Sequence, residues 1–197
     1  DGTAVIETAS CAGLPLVEGR YDPLRATTFG VGELIRDAVS RGAGRIILGL
    51  GGSCTNDGGC GAAAALGAVF KDRRGHSFVP TGGTLGRIES IQTDAVRAFL
   101  GKTRITVMCD VDNPLFGETG AACVFGPQKG ADPEAVRLLD DGLRNLDRAI
   151  RRSLSVCTAD VPGAGAAGGF GAGAIAFFGA ALQSGIDTVL EAVQFPR

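Results

Sequence analysis

Three short stretches of this sequence carry residues able to do chemistry. The first is Gly51-Gly52-Ser53-Cys54-Thr55-Asn56-Asp57, where two glycines lead into hydroxyls, an amide and a carboxylate. Glycine lets backbone N–H groups approach a ligand closely. A helix start directly after it adds unsatisfied N–H donors and the positive end of a dipole. Such a stretch binds anions, phosphate most often. The second is Cys109-Asp110-Val111-Asp112-Asn113-Pro114. Asp110 and Asp112 are two residues apart and share a face of an extended backbone, with the Asn113 amide beside them. The same residues also suit a turn that hydrogen-bonds itself. The third is Phe125-Gly126-Pro127-Gln128-Lys129-Gly130, which holds one of only three lysines in the chain. An ammonium between glycines can meet a carboxylate or phosphate, or stay solvated in a loop.

The elements around these stretches must bring them together. Arg45 to Leu50 reads as a buried parallel strand, an unbroken apolar run that feeds the Gly51 loop. A small-residue helix follows, over about Asp57 to Gly67. Arg104 to Cys109 reads as another strand, delivering Asp110 and Asp112 to the edge where the Gly51 loop also lies. Ligands of open α/β sheets bind beyond the carboxyl ends of the strands. A further strand is expected over Ala4 to Ile6, and a helix begins after Thr28, its predicted cap. That helix turns Val31, Leu34, Ile35, Ala38 and Val39 to one side. The clearest helix starts at Asp132-Pro133-Glu134. Val136, Leu139, Leu143, Leu146 and Ile150 make its apolar stripe, with Asp140–Arg144 and Asp147–Arg151 pairs on the wet side. Residues 1–197 thus read as one α/β domain. Its sheet is mixed or mostly parallel with helices packed on it, and Gly-rich loops at the strand ends form one side of a cleft.

Composition narrows the function. A net charge of -2 leaves no basic footprint for nucleic acid or an anionic membrane. The 32 glycines cluster between periodic segments, as functional loops do. The six cysteines show no C-x-x-C spacing and suit a reducing cytoplasm. The uncharged run Val161 to Leu182 is too rich in Gly and Ala for a membrane span and reads as a buried helix with a Gly-rich entry. Within it, Gly163-Ala164-Gly165-Ala166-Ala167-Gly168 matches a dinucleotide fingerprint, but the polar Thr158-Ala159-Asp160 and Pro162 stand where that fingerprint needs a strand. There is no P-loop and no protein-kinase motif set.

The run Gly51 to Gly59 resembles the signature of the bacterial type-1 glycerate kinases. Four other stretches resemble the same family in order: Asp22-Pro23-Leu24 through Ile35, Cys109 through Leu115, Phe125 through Ala131, and Pro162 through Gly169. Cys54 and Cys60 depart from the alanines expected there. The resemblance implies ATP-dependent phosphorylation of D-glycerate, with 2-phosphoglycerate as product and Mg²⁺ as the metal. It also implies that this chain corresponds to the middle of a longer enzyme, whose remaining domain completes the cleft. Under it, Gly51, Gly52, Ser53, Thr55, Asn56 and Thr28 hold phosphate or the acid's carboxylate, and Asn113 orients substrate. Asp57, Asp110 and Asp112 are the candidates for catalytic base, Asp110 and Asp112 also for metal ligands, and Lys129 balances negative charge. The partners expected are glycerate and nucleotide, in the cytoplasm, with a homodimer left open and neither nucleic acid nor membrane involved. Two other readings stand beside it: a sugar-acid or phosphate-binding module without catalysis, and a dinucleotide-dependent oxidoreductase resting on the Gly163 pattern.

Overall fold

A computed structural model describes residues 2–186. Its main layer is a four-stranded sheet built from β1 (Gly2–Glu7), β2 (Ala43–Gly49), β6 (Arg104–Met108) and β7 (Ala181–Gln183), in the order β1-β2-β6-β7. Every pairing in it is parallel. A second sheet of β3 (Val69–Lys71), β4 (Ser77–Phe78) and β5 (Ser90–Gln92) is antiparallel, in the order β4-β3-β5. The helices are α1 (Ala9–Ala12), α2 (Phe29–Ser40), α3 (Cys60–Ala65), α4 (Asp94–Leu100), α5 (Ala121–Phe125), α6 (Pro133–Leu154) and α7 (Ala166–Phe178).

Register explains the core. Ala4, Ile46 and Ile105 form one rung across the sheet, and Ile6, Leu48, Val107 and Leu182 form another. In a parallel sheet these side chains share a face. β2 is the most deeply buried strand: Ile46, Ile47 and Leu48 are all in the core, as expected of a strand with neighbours on both sides. Each buried Ile or Leu contributes about 2 kcal/mol of apolar transfer. The edge strand β1 is different, and leaves Val5 66% exposed.

The last rung, Glu7–Gly49–Met108–Gln183, matters for function. Because all four strands run the same way, the chain leaves the sheet at this one edge four times. It does so at Thr8, Leu50, Cys109 and Ser184. The Gly51 and Asp110 stretches therefore start side by side.

Several local expectations change. Leu34 is 39% exposed rather than turned inward, because α2 buries the narrower stripe Val31, Gly32 and Ile35. The helix expected from Asp57 starts only at Cys60, after Gly58 and Gly59 take left-handed turns. A Cβ on Gly59 would lie 2.5 Å from the Phe170 ring, so this turn needs glycine. The apolar run after Gly163 becomes α7 and then β7, with Gly179 ending the helix in a left-handed cap. The sequence also predicts an amphipathic helix over Ile186 to Phe195, which beyond Ile186 lies outside the described residues. α6 starts as its sequence predicts, with the Asp132 carboxylate accepting from the Ala135 amide at 2.8 Å. The carboxylates of Asp140 and Asp147 lie inward rather than on the wet side. Asp140 accepts from the Gly117 amide at 2.7 Å as well as from Arg144, because the loop before α5 folds over this part of α6. No described helix is long and apolar enough to cross a membrane.

Candidate active site

A cavity of about 280 Å³ lies at the C-terminal edge of the parallel sheet. Leu50 to Ser53 and Met108 to Val111 line it at the strand ends. Phe125, Gln128 and Lys129 close a second side, and Ala166 and Ala167 a third. Lys129 is 3% exposed. Its ammonium donates to the Thr55 carbonyl at 2.6 Å and the Ser53 hydroxyl at 3.2 Å. Burial pushes its pKa down to about 8, against the weaker opposing pull of Cys54 and Asp57. No carboxylate pairs with it among the described ion pairs.

The Gly51 loop is pinned from behind. The Leu14 amide donates to the Gly52 carbonyl, and the Cys54 amide to the Ala12 carbonyl, each at 2.9 Å. No described residue accepts from the amides of Gly51, Gly52 or Ser53. All three residues line the cavity with Lys129, Gly51 and Gly52 exposed and Ser53 buried.

Asp57 does something else. It is fully buried and absent from the cavity lining. Its Oδ2 accepts from the Thr28 amide at 2.8 Å, the Thr28 hydroxyl at 2.9 Å, and the Thr27 hydroxyl and Gly61 amide at 3.2 Å. Its Oδ1 accepts from the Gly59 amide at 3.1 Å. Desolvation raises the carboxyl pKa, and the bonds from Thr28, Gly59 and Gly61 hold it down. This carboxylate ties the start of α2 to the start of α3. Thr28 is part of the same knot: its hydroxyl also accepts from the Ala62 amide at 2.9 Å and makes no cap bond to its own helix.

The other expected site residues separate into two sets. Asp110 lines the cavity, and its Oδ1 accepts from the Gly185 amide at 2.8 Å and the Ser184 hydroxyl at 3.3 Å. Asp112 is exposed and does not line it. Asn113 turns its amide to the Thr119 carbonyl at 2.8 Å, closing its own loop. Thr55 offers its carbonyl to Lys129, while its hydroxyl and both polar atoms of Asn56 are buried without a partner among the described residues. Sequence reasoning did not single out Met108, Gln128 or Ala167 as lining residues. Gln128 was one residue from a named lysine, and Ala167 lay inside the glycine pattern read as a helix entry. No strand leads into Gly163, so the dinucleotide reading loses its structural requirement.

Among the described residues no group of three His, Cys, Asp or Glu could hold a metal by itself. Asp110 is the carboxylate of the cavity, and one carboxylate supplemented by phosphate oxygens and water suits Mg²⁺.

Comparison with known proteins identifies the family. The family model described as the glycerate kinase family matches residues 1–197. A glycerate kinase of Halalkalibacterium halodurans is 46% identical over 193 residues, covering 98% of this chain and 51% of that protein. A glycerate 2-kinase of Escherichia coli K12 is 47% identical, covering 97% of this chain and 50% of that protein. A crystal structure of a Salmonella typhimurium LT2 protein assigned as glycerate kinase 2 superposes with a TM-score of 0.94 at 46% identity, over 98% of this chain and 52% of that one. The chain thus spans about half the length of the relatives it matches. It belongs to the glycerate kinase family.

Proposed function

We propose that this chain supplies the anion-binding wall of an ATP-dependent glycerate kinase, in which D-glycerate is phosphorylated to 2-phosphoglycerate. The observation that carries the reading is the buried Lys129 ammonium beside the unpartnered amides of Gly51, Gly52 and Ser53. Phosphoryl transfer needs little covalent help from the protein. It needs donors around the phosphoryl oxygens, a cation and an oriented hydroxyl. In the transfer the glycerate hydroxyl oxygen bonds to the γ-phosphorus of ATP, the bond to the bridging oxygen breaks, and ADP leaves. The hydroxyl proton passes to a carboxylate or to solvent.

Each group has a defined part. The loop amides hold an anionic group, and Ser53 and Thr55 hold Lys129 in place. Anion binding keeps the ammonium protonated, since an adjacent negative charge opposes the effect of burial. Asp110 is the carboxylate placed to orient the acceptor hydroxyl, or to ligate Mg²⁺, which would neutralise charge on the phosphates. The Asp57 knot keeps the loop in register and touches no substrate.

Coupled detection of ADP release with D-glycerate, on the intact protein, tests the reading. Phosphorus NMR of the product identifies the hydroxyl used. Asp110→Asn is expected to lower kcat by about 100-fold, within the range for loss of a general base, and Asp112→Asn to leave it within about twofold. Equal rates in both variants would remove Asp110 from the reaction.

A further inference from the structure

The third side of the cavity is built in an unusual way. α7 opens with three consecutive left-handed residues: Ala167 at φ 51°, Gly168 at φ 68° and Gly169 at φ 88°. A left-handed alanine is strained, and such outliers persist where the surroundings enforce them. The enforcement is visible here. The Gly168 carbonyl accepts from the Gly58 amide at 3.1 Å, and a Cβ on Gly168 would come 2.2 Å from the Thr55 carbonyl oxygen. The turn is therefore locked against the back of the Gly51–Gly59 loop.

The turn leaves donors without acceptors. At the start of α7 the amides of the first turn have no acceptor within the helix, and the carbonyls one turn back that could take those of Ala167 and Gly168 are those of Gly163 and Ala164. Those carbonyls are taken instead by Ala166, at 3.0 Å, and by Ala172, at 3.0 Å. The Gly165 carbonyl accepts from Gly169 at 3.2 Å. Neither the Ala167 nor the Gly168 amide has an acceptor among the described residues. Gly168 is buried and Ala167 half-buried, and a buried N–H without a partner is rare. Ala167 lines the same cavity as Lys129, whose ammonium has three N–H groups and uses two on Ser53 and Thr55. Spare donors thus lie on two sides of one cavity.

We propose that the Ala167–Gly168 turn is a second anion-binding wall, whose Ala167 amide donates to a carboxylate or phosphoryl oxygen of a small ligand held opposite the Gly51 loop. The inference rests on the anion-binding reading of that cavity and adds Ala167 as the residue whose side chain borders the bound anion.

Asparagine and aspartate both tolerate the left-handed region and are nearly the same size. Ala167→Asn and Ala167→Asp therefore differ chiefly in charge. The affinities of D-glycerate and of inorganic phosphate for the intact protein would be measured at pH 7 by calorimetry. The expected result is binding at least about ten-fold weaker for Asp than for Asn, since a fixed charge would oppose the ligand's. Loss with glycerate alone would assign the wall to a carboxylate, and loss with phosphate alone to a phosphoryl group. Equal binding by the two variants, or no binding of either probe by the unsubstituted protein, would overturn the proposal. Should the Asp variant fail to fold, the ¹⁵N-alanine spectrum of the unsubstituted protein decides. The Ala167 amide proton, identified by its absence in Ala167→Gly, must move downfield on saturation with one of the probes, and an unmoved signal rejects the wall. An intact protein that shows this shift yet releases no ADP with glycerate would defeat the kinase reading and leave the wall standing.

Discussion

The two ends of the Gly51–Gly61 segment answer different demands. At its far end Asp57 is buried and accepts five hydrogen bonds from Thr27, Thr28, Gly59 and Gly61. At its near end the amides of Gly51, Gly52 and Ser53 have no acceptor among the described residues, and Lys129 is buried without an ion pair among them. Both ends are polar and Gly-rich. One is electrostatically complete without a ligand and the other is not. Completeness, rather than residue type, separates the scaffold from the proposed binding surface.

The sharpest way to break this comparison is Asp57→Ala. It strands five donors, four of them on buried or nearly buried residues, and unpartnered buried groups cost about 1–3 kcal/mol each. Local relaxation and water entry return part of that, so a loss of roughly 4 kcal/mol is expected, read as a shift in the urea midpoint. The surviving folded fraction should bind glycerate with unchanged affinity. A variant that folds normally but no longer binds would move Asp57 to the catalytic side.

Lys129→Met should do the reverse. It removes a buried cation of similar length and loses the bonds to Ser53 and Thr55. Relief from burying the charge offsets the Ser53 hydroxyl and Thr55 carbonyl left without a partner. A urea midpoint within about 1 kcal/mol of the unsubstituted protein is therefore expected. The kcat/KM should fall by about 100-fold or more, as when one preorganised electrostatic donor is removed. A stability loss matching that at Asp57 would mean that the near end is scaffold too.

How much of this could be read in the sequence follows the same division. β2 and its loop were legible because an unbroken apolar run ends in glycines. α6 was legible because its cap, first-turn proline and apolar stripe are all local. The partnership of Asp57 with Thr28 was not, since it joins residues 29 positions apart and each also makes sense as a local cap or site residue. The parallel order β1-β2-β6-β7 needs contacts between strands far apart in sequence, and β7 was hidden in a run that continues the α7 composition. The left-handed turn at Ala167 had no signature beyond its glycines, because the same letters can enter a regular helix.

Lys129 also gives the comparison a pH dependence of two opposite signs. Its pKa is about 8 in the fold and 10.5 ordinarily. Between those values the unfolded chain binds more protons than the folded one, so stability rises with pH. The cost of burying the charge is full below pH 8. Above pH 9 the thiols of Cys11, Cys54, Cys60, Cys109 and Cys123 act against this, since burial raises their pKa values and the unfolded chain releases those protons first. The clean window is pH 8 to 9. There the unsubstituted protein should gain about 1 kcal/mol relative to Lys129→Met. Anion affinity should fall over the same window, because the neutral amine no longer attracts the ligand. Parallel pH profiles in the two proteins would show that Lys129 does not titrate there.

The smallest expected effect concerns strain on the binding side. Ala167→Gly removes a left-handed alanine, which costs about 1–3 kcal/mol in the fold. It also gives the unfolded chain more freedom, which costs about 0.5–1 kcal/mol. The net should be a gain of about 1 kcal/mol. The Thr55 carbonyl and the Gly58 amide still hold the neighbouring Gly168 in place, so the amides stay where they are. Affinity for glycerate should then change by less than about threefold, because no donor is lost. A gain in stability with affinity retained would show that strain at this wall is separable from binding. A gain in stability with affinity lost would show that the alanine methyl holds the amides in their binding geometry, and that the incomplete end of the site is maintained at the expense of the fold.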